Sequence, residues 1–233
     1  MTDTTAITAE TTTHMISLYA APFRDTLSAA LLFAAVKETP ADALYHICLD
    51  HTQGADEITL CALDGHGFYH KRLPLAEVLT DQQDADGVYI PAVQSLPKQS
   101  EGAGRLLIPA SAASIIVKML PKRGNGRVTL EIVASETKYT VTFTGPDGMR
   151  YEFDAHRLYY PDYNAFFQKA LANKDQLSVP QGRAFSIKDF ARIAKAIPDT
   201  FFNVYFGPEQ TSPCLIEYGS DLSIVFMAAS HMA

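Results

Sequence analysis

The chain has 233 residues, of which 47% are hydrophobic and 19% are charged, and its formal net charge is −7. This length is enough for one large domain or two small ones with a sizeable core. A hydrophobic share of this size excludes a wholly disordered chain. No apolar run approaches the roughly 20 residues that a membrane-spanning helix needs, which excludes a membrane protein.

The beginning of the chain and the cysteines carry separate signals. Residues 1–13 are rich in Thr and contain no aromatic residue, which predicts a disordered tail without the basic start and apolar centre of a signal peptide. Cys48, Cys61 and Cys214 are scattered along the chain. Their odd number and wide spacing argue against a disulfide framework or a Cys-based zinc site and favour a reducing cytoplasm.

Hydrophobic periodicity predicts a strand, a helix and three strands in the first third of the chain. Residues 15–19 alternate as a strand, and Pro22 opens a helix that runs to about residue 38 and ends before Pro40. Turn residues at Gly54 and Gly65 then separate three strands, predicted at 44–50, 57–63 and 68–75.

The same order of elements follows after a polar segment. Residues 76–104 carry several acidic and Gln residues, and we interpret them as an exposed insertion. A short strand is predicted at 105–108, followed by a helix that Ser111 caps and Pro121 ends. Three more strands are predicted at 127–134, 138–143 and 150–159.

A third copy of this order is predicted towards the end of the sequence. It comprises a strand at 177–185, a helix that Ser186 caps and Pro198 ends, and strands at 201–206, 214–218 and 222–227. A helix between antiparallel strands in every copy indicates an α+β fold with the helices on one sheet face.

Positive charge is concentrated in spite of the negative total. Residues 102–130 include five Lys and Arg residues and no Asp or Glu. In the third predicted helix, Lys188, Arg192 and Lys195 share one face, and we place Ile187, Phe190 and Ile197 on the opposite, buried face. Solvated helix faces and helix-dipole compensation are the ordinary explanations of such residues. The alternative is a basic surface that contacts phosphates.

Four segments resemble one family, and they occur in that family's order. They are Ala62-Leu63-Asp64-Gly65-His66-Gly67-Phe68, Leu107-Ile108-Pro109 with Lys118-Met119-Leu120, Tyr160-Pro161-Asp162-Tyr163, and Ile224-Val225-Phe226-Met227. Together they are similar to segments of the bacterial DNA polymerase III beta subunits, the sliding clamps. The resemblance spans about residues 44–227.

The resemblance implies a DNA-clamp-like fold, in which repeated half-domains form a ring and their helices line a hole for duplex DNA. Residues 14–163 would form one complete clamp-like domain and residues 164–233 half of another, whereas a bacterial clamp chain has three complete domains. The implied protein is a non-enzymatic processivity or scaffold factor without cofactor or metal, cytoplasmic and associated with the nucleoid. Its implied partners are duplex DNA, a DNA polymerase or other clamp-binding proteins, and further copies of itself.

Two sets of site residues follow from this resemblance. Basic side chains would face DNA phosphates without reading sequence, and they are Arg24, Lys118, Lys122, Arg123, Arg127, Lys188, Arg192 and Lys195. The groove that binds partner peptides in clamps would be lined by Leu63, Gly65, His66, Phe68, Pro161, Phe166, Val225 and Met227. The chain departs from the clamp pattern at Gly67 and Ala165, where clamps place Arg, and at Ala228-Ala229, which replace Pro-Met.

Two other classes of function stay open at this point. One is a clamp-fold interaction module, for instance from a mobile element, that binds replication partners without forming a ring on DNA. The other is an enzyme with Asp64 and His66 in its site, although no nucleophile elbow or phosphate-binding loop accompanies them. A zinc site at Cys61, His66 and His70 would have a spacing that matches no common metal pattern.

Overall fold

The structure is a computed structural model. It describes residues 13–35, 43–83, 85–98, 104–175, 186–197, 202–209, 212–219 and 221–227. The predicted tail at 1–13 and the predicted strand at 177–185 lie outside these residues, apart from Thr13, which begins the first strand.

The described elements follow the predicted order in three successive units. The first unit comprises β1 (Thr13–Tyr19), α1 (Ala20–Ala30), β2 (His46–His51), β3 (Glu57–Leu63) and β4 (Gly67–Pro74), and a hairpin of β5 (Leu79–Gln83) and β6 (Tyr89–Pro91) follows it. The second unit comprises β7 (Gly104–Pro109), α2 (Ala110–Met119), β8 (Arg127–Ala134), β9 (Lys138–Thr144) and β10 (Arg150–His156). After α3 (Tyr163–Leu171), the described part of the third unit comprises α4 (Ile187–Ala196), β11 (Asn203–Phe206), β12 (Pro213–Tyr218) and β13 (Leu222–Met227).

The first two units exchange their first strands. One sheet has the order β1-β8-β9-β10 and the other has the order β11-β12-β13-β4-β3-β2-β7, with all neighbours antiparallel. β1 of the first unit therefore pairs with β8 of the second, and β7 of the second pairs with β2 of the first. The third unit joins the larger sheet through β13, which pairs with β4.

A hydrophobic core lies between the sheets and three helices, as the fold class predicts. Alternation in β9 points Tyr139, Val141 and Phe143 inward and leaves the intervening residues partly exposed. Phe23 on α1 is fully buried in the same core, and Ile116 on α2 and Ile193 on α4 also lie in it. Burial of one such side chain contributes about 1.5–3 kcal/mol. The core therefore holds α1, α2 and α4 on the same side of the larger sheet.

The helix boundaries differ from the predicted ones in two places. α1 ends at Ala30, well before residue 38, because the N–H groups of Leu32 and Phe33 donate to carbonyls three residues back and tighten the chain. This turn buries Phe33, whose ring stacks on Tyr69 at 5.7 Å. The predicted Ser111 cap is also wrong, since α2 begins at Ala110 with Pro109 as its N-cap.

The segment predicted as an exposed insertion is only partly exposed. Its second half runs along the free side of β1, where the Gln94 side chain accepts a hydrogen bond from the Ser17 N–H at 2.5 Å. The Ser95 N–H donates to the Met15 carbonyl at 3.1 Å, and Leu96 is buried. The segment thus satisfies backbone groups that the edge of β1 would otherwise leave open.

α3 packs on the opposite face of the larger sheet from the other three helices. Asp162 caps it by accepting a hydrogen bond from the Asn164 N–H at 3.0 Å. Tyr163, Phe166, Phe167 and Leu171 cover a second apolar cluster on that face. This helix was not predicted from the sequence. No helix within the described ranges is long and apolar enough to cross a membrane.

Candidate nucleic-acid interface

The helix layer carries several of the predicted basic residues at its surface. α1 contacts both α2 and α4, so the three helices lie side by side with α1 in the middle. Lys118 on α2 is exposed, as are Lys188 and Lys195 on α4. Lys122 and Arg123 are exposed just beyond α2. Within the described part of the chain, no carboxylate forms an ion pair with any of these five side chains.

Two other predicted cations already have partners in the chain. Arg24 pairs with Asp25 at 2.9 Å, and only 19% of its side chain is exposed. Arg127 is exposed but donates a hydrogen bond to the Glu77 carbonyl at 2.6 Å. Their positive charges are therefore less available to an external anion than those of the lysines.

Arg192 lies between the third unit and the first unit. Its guanidinium forms an ion pair with Asp64, in which 15% and 18% of the two side chains are exposed. A second ion pair joins it to Asp189 at 3.0 Å, and the guanidinium lies 4.7 Å from the centre of the Phe33 ring. Arg192 thus anchors α4 to the loop after β3 and to the end of α1.

The predicted orientation of α4 is wrong for two of its three apolar residues. Ile187 is 87% exposed and Phe190 is 45% exposed, although both were predicted to lie in the core, whereas Ile197 is buried as predicted. The helix has a second apolar face, comprising Ile193 and Ala196, and this is the face that is buried.

The predicted peptide groove is occupied by the chain's own helix α3. Phe68 and Val225 are fully buried and lie opposite each other where β4 pairs with β13. Three aromatic rings of α3 lie against Phe68, with centroid distances of 5.3 Å for Tyr163, 6.5 Å for Phe166 and 6.0 Å for Phe167.

The other predicted groove residues lie around this cluster. Gly65 and His66 are exposed, Leu63 and Pro161 are half-buried, and Met227 ends β13. A partner peptide would therefore reach Phe68 and Val225 only by displacing α3. The part of the predicted groove that α3 does not cover consists of the loop after β3 and the turn before α3.

A polar network that the sequence analysis missed lies beneath α3. Arg105 pairs with Asp50 through a 2.9 Å contact, and the Tyr163 hydroxyl donates to the same carboxylate at 2.9 Å. Burial raises the pKa of Tyr163, so this hydroxyl keeps its proton. β7 brings Arg105 opposite Asp50 of β2. Only the strand pairing reveals this contact, because 55 residues separate the two in sequence.

His70 extends this region as a half-buried neutral imidazole. Its ring stacks on Phe167 with centroids 4.5 Å apart. Burial, with a contribution from the nearby Arg72, lowers the pKa of His70 to about 4. The imidazole is therefore uncharged at neutral pH and packs as an aromatic group.

The geometry around Asp64 and His66 is that of a turn. One Asp64 oxygen accepts hydrogen bonds from the N–H groups of His66, at 2.9 Å, and Gly67, at 2.8 Å, while the other faces Arg192. The His66 ring is exposed. Among the described residues, no three His, Cys, Asp or Glu side chains lie close enough to hold a metal ion.

Comparison with solved structures defines the class of the fold. No protein-family model matches the sequence, and no curated protein matches it either. The chain nevertheless has the fold of bacterial DNA polymerase III beta subunits, the sliding clamps, as the resemblance predicted.

Three of the similar structures show how much of a clamp is present. The sliding clamp of Bacillus subtilis has a TM-score of 0.63 at 14% identity, and that of Pseudomonas aeruginosa has 0.63 at 13%. The beta subunit of Thermotoga maritima has a TM-score of 0.56 at 10% identity. Each match covers 94% of this chain but only 65–66% of the other. The chain therefore spans less than two thirds of the length of these clamps.

Proposed function

We propose that the protein is a clamp-like factor that holds duplex DNA against its helix layer, without sequence specificity, and acts in processivity or as a scaffold. The observation that carries this proposal is the exposure of Lys118, Lys188 and Lys195 on the helix side of a clamp fold. Lysine side chains bind phosphates as point charges and carry no base-specific information. The clamp fold also supports a non-enzymatic role.

The distribution of charge also favours the helix layer as the surface that binds DNA. α2 contains no acidic residue, and the single acidic residue of α4, Asp189, is already paired with Arg192. A phosphate beside these helices lies within the Debye length of about 8 Å from the lysines, so the acidic remainder of the chain is largely screened. A net charge of −7 is thus compatible with a local DNA surface.

The test is the salt dependence of binding to a fluorescent DNA duplex, measured by anisotropy. We expect the combined substitution Lys118→Glu, Lys188→Glu and Lys195→Glu to weaken binding and to reduce the slope of log K against log salt by about 3, since each lost phosphate contact removes about 0.9. The control is Lys169→Glu with Arg150→Glu, because both residues are exposed and lie outside the helix layer.

Encirclement needs a separate measurement. The protein would be loaded on circular DNA and on the same DNA after linearisation, and retention compared at raised salt. A topologically held protein stays on the circle, whereas contacts with six or more phosphates lose roughly 10³-fold in affinity between 50 and 200 mM salt. Equal loss of the protein from both forms of DNA would indicate that it cradles the duplex without encircling it. No binding to either form would refute the proposal.

A second candidate is a clamp-fold interaction module that binds replication partners and does not contact DNA. The observation in its favour is that Arg24 and Arg192 are neutralised within the chain, which leaves few cations for DNA. Binding of a clamp-binding polymerase peptide to the immobilised protein, together with no affinity for duplex DNA, would favour this candidate.

A further inference from the structure

A cleft lies between the two sheets, where the end of β10 meets the beginning of β7. Two adjoining cavities of about 380 and 310 Å³ form this cleft, and both are lined by Lys98, Tyr139 and Arg157. Cavities of this size fall at the lower end of the range for small-molecule sites. The junction of the sheets therefore has room for a small ligand.

The cleft is separate from the helix layer. It includes His14 near the start of β1 and Gly104 at the start of β7, whereas α1 and α2 begin where these two strands end. The chain from Arg105 to Ala110, where α2 begins, spans about 16 Å in an extended strand. A ligand in the cleft would therefore use other side chains than a duplex on the helices.

The cleft is basic. Lys98 and Arg157 are exposed, and in the part of the chain that the structure describes neither forms an ion pair. The described residues that line the two cavities include no Asp or Glu. A third cation, Arg105, is already paired with Asp50. In a protein with a net charge of −7, two unpaired cations that line one cleft favour an anionic ligand.

Tyr139 helps to position the Arg157 guanidinium. The guanidinium carbon lies 4.7 Å from the centre of the Tyr139 ring, and this tyrosine is buried. The attraction between a cation and an aromatic face restricts the guanidinium to one region of the cleft. The N–H groups of a guanidinium form a planar fork that can donate to two oxygens of one phosphate.

An exposed aromatic ring adjoins these cations. Tyr159 is 83% exposed and lines the smaller cavity together with Lys98 and Arg157. Stacking of a nucleobase on an aromatic side chain contributes about 1–3 kcal/mol. An acidic peptide would use the two cations and leave the ring without a role. The ring and the cations together therefore favour a nucleotide.

We propose that this cleft binds a nucleotide, with the phosphate between Lys98 and Arg157 and the base on the Tyr159 ring. The nucleotide is a free mononucleotide or one unit of a single strand, since both present the same phosphate and base. The proposal is independent of the duplex-binding proposal, because it uses none of the lysines of the helix layer.

Two probes distinguish the sources of the nucleotide. Calorimetric titration with deoxyadenosine 5′-monophosphate tests the free ligand, and anisotropy of a fluorescent single strand of about eight deoxyadenylates tests the strand. We expect binding of at least one probe, and the probe that binds more tightly identifies the source. No binding of either probe, or equally tight binding of inorganic phosphate, would overturn the proposal.

Substitutions test the assigned contacts. Tyr159→Ala should raise the dissociation constant about tenfold or more, because it removes the stacking surface, whereas Tyr159→Phe keeps the ring and should bind as the wild type does. Lys98→Glu with Arg157→Glu should also raise it more than tenfold, since two negative charges then lie beside the phosphate. Unchanged binding by Tyr159→Ala or by the double variant would overturn the proposal.

The matched control is Arg150→Glu with Lys169→Glu. It makes the same change in charge at exposed residues outside the cleft, so it should leave nucleotide binding unchanged. The triple variant of the helix layer should lose affinity for the duplex and keep affinity for the mononucleotide. Equal loss of nucleotide binding in the control and in the cleft variant would show a general effect of charge and overturn the proposal.

Discussion

The ion pair between Arg192 and Asp64 joins the third unit to the first, and Arg192→Ala tests its contribution. Removal of one partner of a buried pair costs about 3–5 kcal/mol. Here 15% and 18% of the two side chains are exposed, and the N–H groups of His66 and Gly67 still satisfy one oxygen of Asp64. These features lower the expected cost of the lost pair to about 2–3 kcal/mol.

The guanidinium also packs on Phe33, which adds about 0.5–1 kcal/mol to the loss. We therefore expect Arg192→Ala to lower the free energy of unfolding by about 3 kcal/mol. With a urea m-value of about 2–3 kcal/mol per molar for a small protein, the midpoint of unfolding should fall by about 1–1.5 M. Circular dichroism during urea titration measures this midpoint.

Two matched variants sharpen the experiment. Lys188→Ala removes an exposed cation from the same helix and should change the free energy of unfolding by less than about 0.5 kcal/mol. Arg192→Lys keeps the charge but loses the planar fork and the stacking, so its midpoint should lie between the other two. If Arg192→Ala and Lys188→Ala gave the same midpoint, the reasoning that Arg192 holds the units together would be refuted.

Three further predictions concern the loop after β3 and the region beneath α3. Gly67→Ala should destabilise the protein by about 1–2 kcal/mol in the same urea assay, because an added Cβ would lie 2.5 Å from an Arg192 nitrogen and displace the guanidinium from its pair. Tyr163→Phe should cost about 1–2 kcal/mol, since the Asp50 carboxylate loses a buried hydrogen bond; no change in the midpoint would contradict this. Since the pKa of His70 is about 4 in the folded chain and about 6.5 when unfolded, the unfolded state binds the extra proton between these values. The melting temperature should therefore fall as pH decreases from about 6.5 to 4, and His70→Gln should flatten this decrease relative to the wild type. Parallel pH profiles would contradict a neutral imidazole at position 70.

Local sequence signals predicted the elements of the fold because each signal acts over a few residues. The cap at Ser186, for example, is confirmed, with its hydroxyl accepting from the Lys188 N–H at 3.2 Å. The exchange of β1 and β7 between units, in contrast, depends on pairing between distant segments. Nothing near Asp50 in the sequence indicates that Arg105 will lie opposite it.

For the candidate DNA surface, the sequence predicted which basic residues lie on the helices better than it predicted where their side chains point. The exposed positions of Lys118, Lys188 and Lys195 agree with the prediction. Arg192 was assigned to the same stripe because helical spacing alone cannot show that a carboxylate from another unit, that of Asp64, lies beside it. α3 was not predicted because the turn before it, residues 160–163, was interpreted from the resemblance to the clamps, and no element was assigned to the residues that follow.

The pairing of β13 with β4 has a consequence for how the chain folds during synthesis. The contact between Lys71 and Asp221 joins residues 150 positions apart. The edge of β4 therefore stays unpaired while the whole second unit is being translated, and closing so long a loop slows folding. A nascent chain with that edge open is exposed to aggregation until β13 emerges from the ribosome.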